Sequence, residues 1–90
     1  MIDYENVLAG LTGFIEERVL GSSDGELDAT TPLLEWGILT SMNMARMVTF
    51  ILDEFHLYIP PDRIVGANFK NLDTITRLVL SLRDDPVAQA

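Results

Sequence analysis

The chain has 90 residues, 48% hydrophobic and 22% charged, with a formal net charge of −8, the profile of one folded domain with a modest core rather than a disordered segment. That charge repels nucleic acid and anionic membrane surfaces and favours protein partners with basic patches. There is no cysteine and only one histidine, which excludes disulfides, iron–sulfur clusters and thiolate zinc sites and argues against a histidine metal site.

Four helical segments are expected and no strand. The first runs from about Tyr4 to Leu20, with Leu8, Leu11, Ile15 and Val19 on one buried stripe. Asp3 is its N-cap, and Gly10 and Gly13 lie inside it, each at a cost of roughly 1 kcal/mol against Ala. A long irregular stretch follows from Gly21 to Thr40. It opens on the turn formers Gly21-Ser22-Ser23-Asp24-Gly25 and holds Thr31-Pro32 in its middle. Leu27, Leu33, Leu34, Trp36, Ile38 and Leu39 are expected to tether it to the core. Loops of this length are uncommon and often functional.

The second helix is expected from Ser41 to about His56. At ~100° per residue, Met44, Val48, Ile51, Leu52 and Phe55 share a core face. Met42, Arg46, Thr49 and Asp53 fall on another, mostly polar face, and Phe50 is intermediate. Pro60-Pro61 ends this segment, and Pro61 opens a short helical turn through Ile64 and Val65 that Gly66 stops. Asn71 caps the last helix, whose stripe is Leu72, Ile75, Leu78, Val79 and Leu82. Asp84-Asp85-Pro86 ends it. The expected fold is all-α: a small antiparallel four-helix bundle of three long helices and one short third helix, with a long first loop. Residues 1–85 form the domain and residues 86–90 a frayed tail.

Enzyme chemistry finds little support. A serine nucleophile needs a base beside it, and His56 lies ~20 Å from Ser41 along one helix at ~1.5 Å per residue. The sequence holds no G-x-S-x-G, no Walker loop, no G-x-G-x-x-G and no H-E-x-x-H. Glu16-Glu17, Asp53-Glu54 and Asp84-Asp85 are neighbours in sequence, so on a helix they point apart and read as solvated surface. Ser41 alone stands out: it closes a long loop and opens an amphipathic helix. Taken by itself it reads as an N-cap. Thr40, however, can fill that role by accepting the backbone N–H of Asn43, which leaves the Ser41 hydroxyl free at the positive end of the helix dipole.

The stretch Pro32-Leu33-Leu34-Glu35-Trp36-Gly37-Ile38-Leu39-Thr40-Ser41-Met42 resembles the modification site of the acyl/peptidyl carrier protein family. The downstream landmarks match as well: Phe55, Ile59-Pro60, and Phe69-Lys70-Asn71-Leu72-Asp73-Thr74-Ile75. The resemblance covers nearly the whole chain. It implies that Ser41 receives a 4′-phosphopantetheine arm from coenzyme A through a phosphopantetheinyl transferase. The arm's thiol then carries acyl or aminoacyl groups as thioesters, and the protein itself catalyses nothing. An adenylating or acyl-transferring enzyme loads it, and downstream biosynthetic enzymes use the cargo. Two positions depart from the family pattern: Thr40 replaces the usual Asp and Met42 the usual Leu. Arg46 also stands where many carriers are acidic.

The start at Met1 and the short tail fit a stand-alone carrier, expected to be a monomer. The 34–39 loop is most similar to discrete carriers of specialised-metabolite pathways, such as polyketide, nonribosomal-peptide and antibiotic biosynthesis. A carrier of primary metabolism, for fatty acids or D-alanine, and an unmodified helical interaction module are the alternatives. Partner enzymes approach close to the arm, so Met42, Arg46, Thr49, Asp53, Ile64 and Val65 are the expected docking residues, with Met42 the apolar anchor. No apolar run reaches the ~18 residues of a membrane span, and Met1-Ile2-Asp3-Tyr4-Glu5 lacks the basic start of a signal peptide. A cytoplasmic location is therefore expected.

Overall fold

A computed structural model of the chain describes residues 2–21 and 27–84. The Ser22–Gly25 part of the expected turn cluster, Asp85 and the expected tail lie outside the described residues, as does the side chain of Val19. The ordered elements are all helical: α1 (Tyr4–Phe14), α2 (Ser41–Phe55) and α3 (Leu72–Arg83). The molecule is a small all-helical globule.

Asp3 caps α1 by accepting the backbone N–H of Asn6 at 2.8 Å, which satisfies one of the four free N–H groups of the first turn. Beyond Phe14 the helix widens into a π-helical stretch, Ile15–Leu20, that ends at Gly21 with φ 72°. A left-handed residue there is cheapest as glycine. Val7, Leu11, Phe14 and Ile15 are buried, and Leu8 packs at the margin of the core. Gly10 has a packing reason: a Cβ there would stand 3.2 Å from the Phe55 ring. The missing side chain lets α2 come close. Phe14 and Phe50 continue that contact at 4.9 Å between ring centroids.

α3 carries the most complete design. Asn71 accepts from the Thr74 backbone at 2.8 Å, and the Thr74 hydroxyl accepts from the Asn71 backbone at 3.2 Å, a reciprocal capping box. Leu72, Ile75, Leu78, Val79 and Leu82 are all buried, as the periodicity predicts. At its N-terminal end, Asp73 accepts from the Tyr4 hydroxyl at 2.6 Å and from Arg77 at 3.0 Å. The bond from Tyr4 and then the Arg77 guanidinium hold the Asp73 carboxyl below the usual carboxylate range. The same bond, helped by burial, raises the Tyr4 hydroxyl. At the other end Arg83 donates to the Ile2 carbonyl at 2.8 Å.

The stretch before α2 is held by its own bonds. Asp28 accepts from the Thr30 backbone at 2.8 Å and from the Thr30 and Thr31 hydroxyls. The bonds from Thr30 come first in lowering its pKa. Leu33 N–H donates to the Lys70 carbonyl and Asp73 N–H to the Ala29 carbonyl, both at 2.9 Å, so the loop is stitched to the start of α3. Leu33 and Leu39 are buried, and Leu27, Leu34 and Ile38 pack against the core. Trp36 does not tether the loop as expected: it is 65% exposed. The turn that ends at Gly37, with φ 71°, throws its side chain outward while Ile38 and Leu39 donate back to the Leu33 carbonyl.

The expected short third helix is two separate 3₁₀ turns, Pro61–Arg63 and Gly66–Asn68. Ile64 and Val65 lie between them, and Gly66 opens the second turn rather than ending the first. The break has a backbone reason: Val65 is extended, at φ −129° and ψ 156°.

Candidate functional site at the start of α2

α2 begins where the loop ends. Thr40 is extended, and its hydroxyl accepts the Asn43 N–H at 3.3 Å, the capping role expected for it. The Ser41 hydroxyl is exposed and has no hydrogen-bond partner among the described residues. His56 is the C-cap at the opposite end of the helix, in the left-handed region at φ 57°.

The helix is turned differently from the expected phase. Met47 and Ile51 are its fully buried residues, whereas Met44, Val48 and Phe55 only pack at the margin of the core, and Leu52 is half-buried. The face centre thus lies nearer Met47 than Val48, because the Phe14–Phe50 and Phe50–Phe55 ring contacts draw the Phe50 side of α2 toward α1. On the other side this rotation leaves an open groove of about 380 Å³. It is lined by Ser41, Met44, Ala45, Val48 and Ile64. Four apolar side chains therefore flank one free hydroxyl.

The six expected docking residues do not form one patch. Met42 is 74% exposed beside Ser41, so it does not pack under the loop. Ile64 lines the groove, and Val65 is 45% exposed next to it. Arg46, Thr49 and Asp53 instead border a second cleft, with Phe14, Arg18, Phe50 and Glu54, between α2 and the end of the first helix. The Thr49 hydroxyl donates back to the Ala45 carbonyl at 3.2 Å. The exposed aromatic that sequence reasoning missed is Trp36. Its signal was a lone aromatic followed by glycine in a loop, which periodicity does not interpret.

Among the described residues no helix is long and apolar enough to cross a membrane, and no group of three His, Cys, Asp or Glu side chains is placed to hold a metal ion.

No protein-family model and no curated protein matches the chain. Among solved structures, a chain in a crystal structure of an FAD-dependent dehydrogenase is similar. Identity is 34% and the TM-score 0.73, over 78% of this chain and 99% of that one. The matched chain is therefore itself only about 70 residues long. At this identity, over nearly its whole length, the two chains belong to one family.

Proposed function

We propose that this protein, as a member of the family of that short helical chain, is an acyl or aminoacyl carrier protein with Ser41 as the attachment point of a 4′-phosphopantetheine arm. One observation carries the reading. Ser41 presents a free, exposed hydroxyl at the first turn of α2, with the cap supplied by Thr40 and an apolar groove alongside. The residues present fit such an arm: the hydroxyl is unobstructed, the groove is open, and the helix N-terminus favours a phosphodiester by roughly 0.3–1 kcal/mol at an exposed site. When attached, the arm supplies a thiol that holds cargo as a thioester. This chain's own residues position that tether and present a surface to the enzymes that use it, raising the effective concentration of the cargo at each. On this reading the two 3₁₀ turns over 61–68 stand in for the short third helix of a four-helix bundle, and the protein works as a monomer in the cytoplasm.

The partners are a phosphopantetheinyl transferase, a loading enzyme and downstream enzymes of specialised-metabolite assembly. The similar solved chain favours one class among the last. A chain of about 70 residues has room for one small domain. The present sequence lacks the G-x-G-x-x-G of a dinucleotide-binding fold. We read the short chain as the companion of a flavoprotein rather than as the flavin-binding chain itself, and extend that companionship to this protein.

The test is intact mass after incubation with coenzyme A and a broad-specificity transferase. A gain of one phosphopantetheine per chain is expected. An unchanged mass in folded protein overturns the carrier reading and leaves Ser41 a plain first-turn residue.

A further inference from the structure

The cleft that Arg46 borders lies on the face of α2 away from Ser41. At ~100° per residue, Arg46, Phe50 and Asp53 centre roughly 160° around the helix from the groove residues Ser41, Met44, Ala45 and Val48. The floor of the cleft is apolar, where Phe14 and Phe50 meet at 4.9 Å between centroids. Charge is sorted along it. Gly10 approaches Phe55 while Phe14 approaches Phe50, so α1 and α2 run antiparallel. Arg18, one turn beyond Phe14, therefore stands level with Arg46, and Asp53 and Glu54 hold the other end. The stretch that carries Arg18 is π-helical, a rare form that recurs at functional sites.

These charges are placed too far apart to pair within one chain. Arg46, Phe50 and Glu54 follow one another at four-residue steps, which separates Arg46 from Glu54 by ~12 Å at ~1.5 Å per residue. A helical ion pair needs a spacing of three or four residues, and at those steps from Arg46 stand Thr49 and Phe50. Accordingly, none of Arg18, Arg46, Asp53 and Glu54 is in an ion pair among the described residues. The order cation, ring, acid, with Phe50 at its midpoint, is self-complementary. A two-fold axis through Phe50 sets a second α2 antiparallel to the first and brings Arg46 of each copy opposite Glu54 of the other. Each arginine stem then crosses the ring floor at the acidic end of the other copy's cleft. Two chains of net charge −8 repel at long range, so a contact between them has to set their few cations against acids, as this one does.

We infer that this cleft is a self-association surface and that its occupant is a second copy of the chain, in an antiparallel two-fold pair centred on Phe50. The inference goes beyond the carrier reading and does not depend on it. A contact confined to one helix face belongs to the weak, transient class, so the monomer prevails in dilute solution and the pair in concentrated solution. Both Ser41 grooves face outward from the pair and stay open.

The experiment is sedimentation equilibrium of the full chain at physiological salt, where repulsion between the net charges is screened beyond about 8 Å. The average mass is expected to rise with concentration toward twice that of the monomer, with a dissociation constant of about 0.1–1 mM. Arg46→Glu and Glu54→Arg are each expected to weaken association at least about tenfold, because each sets like charges together at both symmetric junctions. The double variant Arg46→Glu/Glu54→Arg keeps the net charge and exchanges the two ends; it is expected to regain wild-type association within about threefold. Trp36→Ala, exposed on the loop outside the cleft, is expected to change nothing. Circular dichroism and a thermal melt establish that each variant is folded. A wild type that stays monomeric at the highest concentration overturns the inference and leaves the cleft to a different protein. So does a double variant that stays as weak as the single ones, or a loss of association in Trp36→Ala. The mass gain with coenzyme A is read separately, and its failure leaves this result untouched.

Discussion

α3 and α2 are amphipathic helices of similar length, yet they solve opposite problems. α3 buries its whole apolar stripe, closes its N-terminus with a reciprocal capping box and holds an ion pair with Arg77. α2 buries only Met47 and Ile51 completely, exposes Met42, and leaves Arg46 and the Ser41 hydroxyl without partners among the described residues. Packing is satisfied inside the molecule along α3, where the buried Thr76 hydroxyl is the one side-chain group left without a partner among the described residues, whereas along α2 apolar surface and the Ser41 hydroxyl are left for something outside it. A helix that underuses its own fold is the place to look for function.

Truncation should separate the two helices most sharply. Ile75→Ala removes a fully buried side chain from α3 and should cost about 2–5 kcal/mol in denaturant unfolding. Met42→Ala, its counterpart on α2, should stay within about 0.5 kcal/mol while lowering transfer efficiency with a loading enzyme. A large stability loss for Met42→Ala would break the comparison. The caps should behave alike: Thr40→Ala and Asn71→Ala should each cost about 0.5–2 kcal/mol, because capping serves the backbone whatever the helix is for. Thr40→Asp should preserve the cap and equal or exceed the wild-type rate of modification by a broad-specificity transferase.

Smaller effects sharpen the contrast. His56 ends α2 in a left-handed conformation, where a side chain costs roughly 1–2 kcal/mol. Part of that returns as the greater unfolded-chain entropy of glycine, so His56→Gly should stabilise by up to about 1 kcal/mol in a thermal or urea melt. The Tyr4–Asp73–Arg77 cluster should give α3 a faint pH signature. Asp73 is lowered, so its contribution is present above the unfolded carboxylate range and is lost as pH falls through its folded pKa. Tyr4 is raised, so its contribution is present below the ordinary phenol range and is lost as pH rises through its folded pKa. Tyr4→Phe should remove the alkaline limb and shrink the acid one, read from urea midpoints across pH.

What the sequence could say followed the range of each signal. N-caps are decided within four residues, and Asp3, Thr40 and Asn71 were all legible. The α3 stripe was legible because its apolar residues leave the phase of the helix no choice. On α2 the apolar residues spread more widely. The phase was set by Phe14 and by the gap at Gly10, both on another helix, so the burial of Met47 was not legible. Neither was the outward turn of Trp36, which depends on a left-handed Gly37 and on bonds back to Leu33. The two 3₁₀ turns escaped for a similar reason: proline marks where a turn opens, but an extended Val65 broke it. At the site, the sequence located Ser41 and its cap. It did not divide the surrounding residues between a groove and a separate cleft, because that division follows from the phase of α2.

The central claim is that Ser41, and no other residue, is where this protein is loaded. The direct measurement is intact mass of wild-type and Ser41→Ala protein after incubation with coenzyme A and a broad-specificity transferase, with circular dichroism confirming that both are folded. The account predicts a full phosphopantetheine mass gain for the wild type and none for Ser41→Ala. A gain that survives the substitution, or an unmodified wild type, would contradict it.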